Sequence, residues 1–473
     1  MTDDARPAAT GRLTLPTLLT FSTVTLPGSA LGIATSIYLT PYLAGHLGMS
    51  LTVIGGAFFI VRLIDIPVDP ILGVIMDRTR TGLGRYRLWL LIGAPIFMLA
   101  VYKLLLAKPG IDETYLVLWL LVSALGGSIV GLAQGAWAAT LATGYNDRSR
   151  LFSLLTMVGV AANVIVLAIA IAGPKFGLSN ADGVHVMGWL VIGLTPICFG
   201  LVAWRVPEKI AADVPSHRFP LADYWALVKK PAILRLFFAQ AALQLGPGWM
   251  SALYIFFFRD VLGFPVALSS ALLLVYIAAA ILGAPATAWV SSRFGKHRTL
   301  IATTTAYSLG LCTIFILPRG HLFVTGPVMF WCGFMASGFG LLVSSMTADV
   351  GDEVRLEQGK QRMSLIYSLI GLANKLAGAA QFFLSLSLLA WVGYNARDGA
   401  HNTAAAINGL EYIFILGPIF FVMLGGACFI GWTLDARRHG EIRQALEIRD
   451  AVLGEAAVIG ALTAQPAPAT SPT

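Results

Sequence analysis

The chain has 473 residues, 57% of them hydrophobic and only 12% charged, so about 270 positions are apolar, more than a water-soluble domain can cover with polar surface. The apolar residues fall in runs of roughly 20 or more, the length at which a helix crosses about 30 Å of hydrocarbon. This excludes a secreted, cytosolic or nucleic-acid-binding protein, and the net charge of +8 has to be explained by where the basic residues sit.

At roughly 20 to 23 residues per span the apolar positions fill about twelve helices. In chain order the spans are expected at 16–44, 50–76, 87–107, 114–142, 151–173, 186–204, 233–258, 266–292, 299–316, 324–348, 363–393 and 407–434. No cleavable leader is expected, because the first apolar run, Leu15 to Leu47, is longer than a signal-peptide core and no small-residue cleavage site follows it. The stretch from Arg205 to Arg235 is charged and reads as a linker, with a short surface helix around Tyr224 and Trp225. The chain then divides into an N-terminus (1–15), a six-helix half (16–204), a linker (205–232), a second six-helix half (233–434) and a tail (435–473). Within the tail, Ile442, Leu446, Ile448 and Leu453 recur at helical spacing among charges, which suits a helix on the membrane surface. The last ten residues are too poor in apolar side chains to fold.

Basic residues follow the loops. Of the 32 Lys and Arg, 24 fall on the side of the N-terminus and 6 on the other, so both termini and the linker are expected in the cytoplasm, with the chain in the plasma (inner) membrane. The remaining two, Arg62 and Lys375, lie within spans. Gly84-Arg85-Tyr86-Arg87 after the second span recurs as Gly295-Lys296-His297-Arg298 after the eighth, a shift of 211, and Arg150 matches Arg362 with a shift of 212. Two six-helix halves related in this way resemble the major facilitator superfamily of secondary transporters, an all-α integral membrane fold of twelve transmembrane helices. Asp77, Arg78, Arg80, Arg85 and Arg87, with Arg293, Lys296 and Arg298 in the second half, read as gating contacts at helix ends.

Four charges stand where the bilayer should be. Arg62, Asp65 and Asp69 follow one another at spacings of 3 and 4 and share one helix face, and Lys375 sits deep in the eleventh span. Each costs about 2.5 to 3.5 kcal/mol at mid-membrane unless it is paired or faces a water-filled cavity. The set sums to zero, which allows mutual neutralisation and the entry of a cation or proton. Pro67 and Pro70 free the carbonyls of Leu63 and Ile66, offering oxygen ligands beside the two carboxylates.

A narrower likeness rests on particular residues. Arg62, Asp65, Pro67, Asp69, Pro70, Gly73, Asp77, Arg78 and Arg80, followed by Gly84-Arg85-Tyr86-Arg87, resemble the second-helix signature of the glycoside-pentoside-hexuronide:cation symporters, the melibiose-carrier family. Tyr145 to Leu151, Thr347 to Glu353, and Leu365 to Leu376 extend the resemblance in the family's order. It implies that Asp65 and Asp69 form the cation site, that Lys375 faces it, and that spans 1, 4, 5, 7 and 11 line a sugar cavity. The chain departs from the pattern in three places. Val68 stands where sodium-coupled members often carry a polar residue, which favours a proton over sodium. Gly131 and Gly135 replace an acid and a tryptophan, and Thr156 replaces an arginine.

Other candidates come from the spans themselves. Pro27-Gly28 and Gly246-Pro247-Gly248 are expected to break spans 1 and 7 at matching positions, the arrangement that marks a transporter's binding site. Trp249 would then offer an aromatic face to a sugar or lipid chain, or pack within the bundle. Gln134, Gln240, Gln244, Asn374 and Gln381 bind hydroxyls or bond between helices. Gly127, Gly131 and Gly135 form a stripe expected to serve close helix packing, with a wide cavity as the alternative. Cys198, Cys312, Cys332 and Cys428 have no metal or disulfide spacing.

These residues point to a monomeric carrier, not an enzyme, that moves a small organic solute, a glycoside or uronide, with H+ or Na+ and no further cofactor. A carrier of a lysolipid or other amphipathic anion is the second reading. A membrane enzyme would need a nucleophile or metal set, and a scaffold has no use for four buried charges.

Overall fold

The computed structural model describes residues 13–142, 145–208, 227, 229–316, 320–359 and 362–463. The N-terminal segment, the helix expected around Tyr224 and Trp225, and the last ten residues lie outside the described residues. Twelve long helices follow the expected spans: α1 (Leu15–Leu39), α2 (Leu51–Arg78), α3 (Tyr86–Leu105), α4 (Glu113–Leu141), α5 (Tyr145–Ala172), α6 (Asn180–Arg205), α7 (Pro231–Val261), α8 (Val266–Phe294), α9 (Lys296–Thr313), α10 (Leu322–Gln358), α11 (Met363–Trp391) and α12 (Ala404–Ala427). A thirteenth, α13, covers Ala436–Thr463.

The boundaries have local causes. Ser50, Asp112 and Thr403 accept the amides of Val53, Tyr115 and Ala406 and so cap α2, α4 and α12, while Ser179 and Asp182 cap α6 reciprocally. Among the described residues, eleven helices are long and apolar enough to cross a membrane. The helix short of that measure is α9, and its sequence says why. Thr299, Thr303, Thr304, Thr305 and Ser308 lower its hydropathy, yet each hydroxyl donates to a carbonyl three or four residues back. With its polar groups satisfied internally, α9 packs against α10 and α12 among the other spans.

The two halves meet most extensively where α2 lies along α11. Phe58 stacks on Phe382 at 4.3 Å and Phe59 on Phe383 at 5.0 Å. Gly55 permits the approach, because a Cβ there would stand 3.1 Å from the Phe382 carbonyl oxygen.

Spans 1 and 7 are irregular, but not as the prolines suggested. A turn at Thr23 and Val24 precedes Pro27, whereas α7 runs unbroken through Pro247. Gly246 and Gly248 serve packing instead, facing Val422 and Gln381. The matching irregularity lies about three to four turns after each proline. A π-turn follows α1 at Tyr42–His46, and another ends α7 at Phe257–Val261. Leu47 and Met49 donate to Tyr42 and Leu43 just as Leu262 and Phe264 donate to Phe257 and Phe258. Gly48 (φ 72°) and Gly263 (φ 74°) then turn the chain through the left-handed region. This is the internal repeat seen in backbone bonds, at a shift of 215 residues.

The tail forms a helix that has a partner within the protein. Helix α13 packs on the end of α10, with Ile442 and Leu446 buried in the contact. Arg355 pairs with Asp450 at 2.9 Å, His439 approaches Asp352 at 3.2 Å, and Arg449 donates to the Arg355 carbonyl at 3.0 Å.

Candidate functional site

Helix α2 carries Arg62, Asp65 and Asp69 to mid-depth and continues unbroken through Pro67 and Pro70. Asp65 is 3% exposed. Its Oδ1 accepts from Ser128 of α4 at 3.0 Å, and its Oδ2 accepts from Lys375 of α11 at 2.9 Å. The same ammonium lies 2.5 Å from Asp69 Oδ2. Arg62 reaches Asp65 only at 3.7 Å and is half exposed. Asp69 Oδ1 is buried and, among the described residues, has no hydrogen-bond partner. One amine from the second half thus neutralises two carboxylates of the first, leaving a single carboxylate oxygen unspent. The structure brings together all four charges expected to form the cluster.

The cluster opens on a cavity of about 460 Å³ bounded by α1, α2, α3, α4 and α11. Gly28 and Gly32 of α1 and Gly127 and Gly131 of α4 line it, and a Cβ added to any of these meets nothing within 4 Å. The stripe on α4 therefore makes room. Close packing falls to its neighbours: a Cβ on Gly126 would stand 3.0 Å from the Phe97 amide nitrogen, and one on Gly93 would meet Ile129 at 2.8 Å.

A second cavity of about 370 Å³ lies across α1, bounded by α5, α7 and α8. Beyond it the halves are bonded together on the side away from the chain termini. Tyr38 shares a 2.6 Å hydrogen bond with Ser270, the Asp398 amide donates to the Gly45 carbonyl at 3.2 Å, and Arg397 reaches the Gly48 carbonyl at 3.4 Å. Arg259 braces Asp398 at 3.3 Å and is itself held by Asp260, to which Tyr394 donates.

The other expected residues fall in different places. Gln134 donates to Thr25 at 2.7 Å, tying α4 to α1. Gln240 donates to Asn374 at 2.8 Å beside Lys375, and Gln381 is buried between α7 and α11. Gln244 and Thr156 are exposed, the latter returning its hydroxyl to the Phe152 carbonyl. Trp249 turns away from both cavities: its indole donates to the Ile413 carbonyl at 3.0 Å and packs on Gly417 and Phe421. With α7 unbroken, that ring belongs to the α7–α12 contact.

The basic loops bond within their own halves. Glu208 accepts the amides of Arg85, Tyr86 and Arg87 and so caps α3, and Arg87 also holds the Val206 carbonyl at 2.8 Å. Lys296 pairs with Asp349 at 2.6 Å, and Arg293 lies 4.3 Å over the Trp289 ring. Asp77, Arg78, Arg80 and Arg298 are exposed. Glu208, Ser128, Asp349 and Asp398 were not singled out as site residues by sequence reasoning. Each is an ordinary polar residue until a partner far along the chain is known.

Comparison with known proteins gives a consistent picture. The chain matches the family described as MFS/sugar transport protein over residues 21–436. It is similar to the uncharacterized symporter YnaJ of Bacillus subtilis (strain 168), 22% identical over 88% of this chain and 91% of that one. It is equally 22% identical to the isoprimeverose transporter of Lactiplantibacillus pentosus, covering 85% of each. Among solved structures, a point mutant of the nucleoside transporter NupG shares the fold with a TM-score of 0.66 at 13% identity, over 88% of this chain and 100% of that one.

Proposed function

The chain belongs to the MFS/sugar transport protein family, and from that premise we propose that it carries a glycoside or uronide into the cell together with a monovalent cation. The observation that carries the reading is Lys375 bridging Asp65 and Asp69 across the two halves. While the amine holds both carboxylates, the halves are tied through the cluster. A cation on the aspartates competes with Lys375, loosens that tie and lets the solute bind at midplane, after which the halves rock about the site.

A proton suits the site better than sodium. Val68 supplies no side-chain oxygen beside Asp69, and a metal ion needs several oxygens around it whereas a proton needs one. The basic loops favour cytoplasmic termini and residence in the plasma membrane. In that orientation the Tyr38, Asp398 and Arg397 bonds close the outer side, which supports reading this state as inward-facing, and in our reading the carrier works as a monomer.

Uptake of labelled glycosides and uronides into proteoliposomes, with and without an imposed pH or sodium gradient, tests this. Accumulation driven by a pH gradient is expected. Solute that only equilibrates under either gradient would overturn symport, and dependence on sodium alone would overturn the proton.

A further inference from the structure

The two cavities are chemically unlike. The larger holds all four charges of the cluster. Across α1, none of the described residues that line the smaller is charged, and its walls are largely aliphatic: Ile33, Ile37, Met250, Leu273 and Ile277. Six polar side chains also line it, Ser29, Ser36, Asn163, Ser251, Tyr254 and Tyr276, and most are spent within the protein, the Ser36 hydroxyl on the Ile33 carbonyl at 3.4 Å and Tyr276 on Tyr307. The Tyr254 hydroxyl donates to the Ser269 carbonyl at 3.0 Å, and the Ser251 hydroxyl donates to the Ser36 carbonyl at 3.2 Å. Asn163 of α5 is the amide facing this space, and among the described residues no hydrogen bond engages its side chain. Gly32 borders both cavities, and a Cβ there meets nothing within 4 Å, so the two spaces meet across a bare stretch of α1.

A pocket of this size, apolar but for one or two unspent polar groups, fits an apolar moiety held in register by a single hydrogen bond. A bare sugar would leave its hydroxyls without partners there, which is costly. We propose that the compartment between α5 and α8 is an aglycone subsite and that the solute is an amphipathic glycoside. Its sugar lies on the charged side of Gly32 and its alkyl or aromatic aglycone on the aliphatic side, with Asn163 reading a polar atom near the glycosidic bond. The inference rests on the transport reading above and deepens it.

Titration of the full chain in lipid nanodiscs with methyl, propyl and pentyl glucosides, and with the matching glucuronides, tests the subsite. Burying each methylene should tighten binding about fourfold, so that pentyl binds about 200-fold tighter than methyl. Simple partition into lipid would give a similar slope, so Leu273→Trp and, separately, Ile277→Trp fill the compartment. Either variant that folds should compress the pentyl-to-methyl ratio to below about tenfold. Asn163→Leu should weaken 2-hydroxyethyl glycosides, whose hydroxyl lies beside the glycosidic bond, relative to ethyl ones. A flat series in the parent, or a full ratio retained in both filled variants, would overturn the subsite while leaving transport of small glycosides standing. Binding of no member of either series would remove the subsite and the glycoside reading together.

Discussion

Lys375 holds two carboxylates of the opposite half at once, and this sets how each partner responds to mutation. If Asp65 and Asp69 couple transport as proposed, Asp65→Asn and Asp69→Asn should both reduce the accumulation ratio in vesicles to about one while downhill exchange persists, because coupling and solute binding then use different groups. Their stabilities should differ. Asp65 is fully buried, so breaking its pair costs about 3 to 5 kcal/mol, whereas the cavity hydrates what Asp69→Asn leaves behind. A lower melting temperature for Asp65→Asn than for Asp69→Asn checks this. Ser128→Ala strands Asp65 Oδ1 and should cost about 1 to 3 kcal/mol, read in the same melting assay. The charges were legible in the sequence because ionisable groups in apolar spans are expensive enough to be conspicuous. Ser128 and Asn163 were not, because a serine or amide in a membrane helix ordinarily bonds to its own backbone or a neighbour. Trp249 was placed at a break that α7 does not have, and only the fold shows its indole committed to the Ile413 carbonyl.

At the scale of the helix, adjacent glycines on α4 have opposite roles. Gly126→Ala pushes a methyl into the Phe97 backbone, which cannot yield as a side chain would, and should destabilise by about 1 to 3 kcal/mol. Gly127→Ala projects into open space and should change stability by less than about 0.5 kcal/mol. Equal melting temperatures for the two variants would contradict this assignment. The four-residue period was readable, but the facing element was not, because a small residue suits contact and emptiness alike. Twelve spans and their order followed from hydropathy, even for α9, whose hydroxyls are satisfied internally. The docking of α13 did not: its charges suit a membrane surface as well as the acidic end of α10. Truncation after Leu434 exposes the seats of Ile442 and Leu446 and should lower the melting temperature. Arg355→Ala breaks a half-exposed pair and should cost no more than about 1 kcal/mol.

For the molecule as a whole, orientation and gate can be tested independently of the solute. Tags at Ser216 and Thr473 should both be protected from external protease in intact cells, given the charge asymmetry of 24 to 6. Accessibility of either from outside would reverse the carrier. Asp398→Ala removes an acceptor of Arg259 at the side far from the termini. In a background lacking the four native cysteines, it should increase external labelling of a cysteine placed at Ser251. Unchanged labelling would remove Asp398 from the gate.

If the coupling ion is the proton proposed above, the zero sum of the four clustered charges also fixes what the cycle does electrically. The empty carrier moves no net charge through the cluster. A proton with an uncharged glycoside moves one, and a proton with a uronate moves none. For the uncharged solute the membrane voltage joins the proton gradient as a driving force, worth about 2.3 kcal/mol per 100 mV. Transient currents on a supported membrane, present with a glucoside and absent with the matching glucuronide, would therefore register the stoichiometry directly: the carrier would be an electrical generator for one class of cargo and electrically silent for the other.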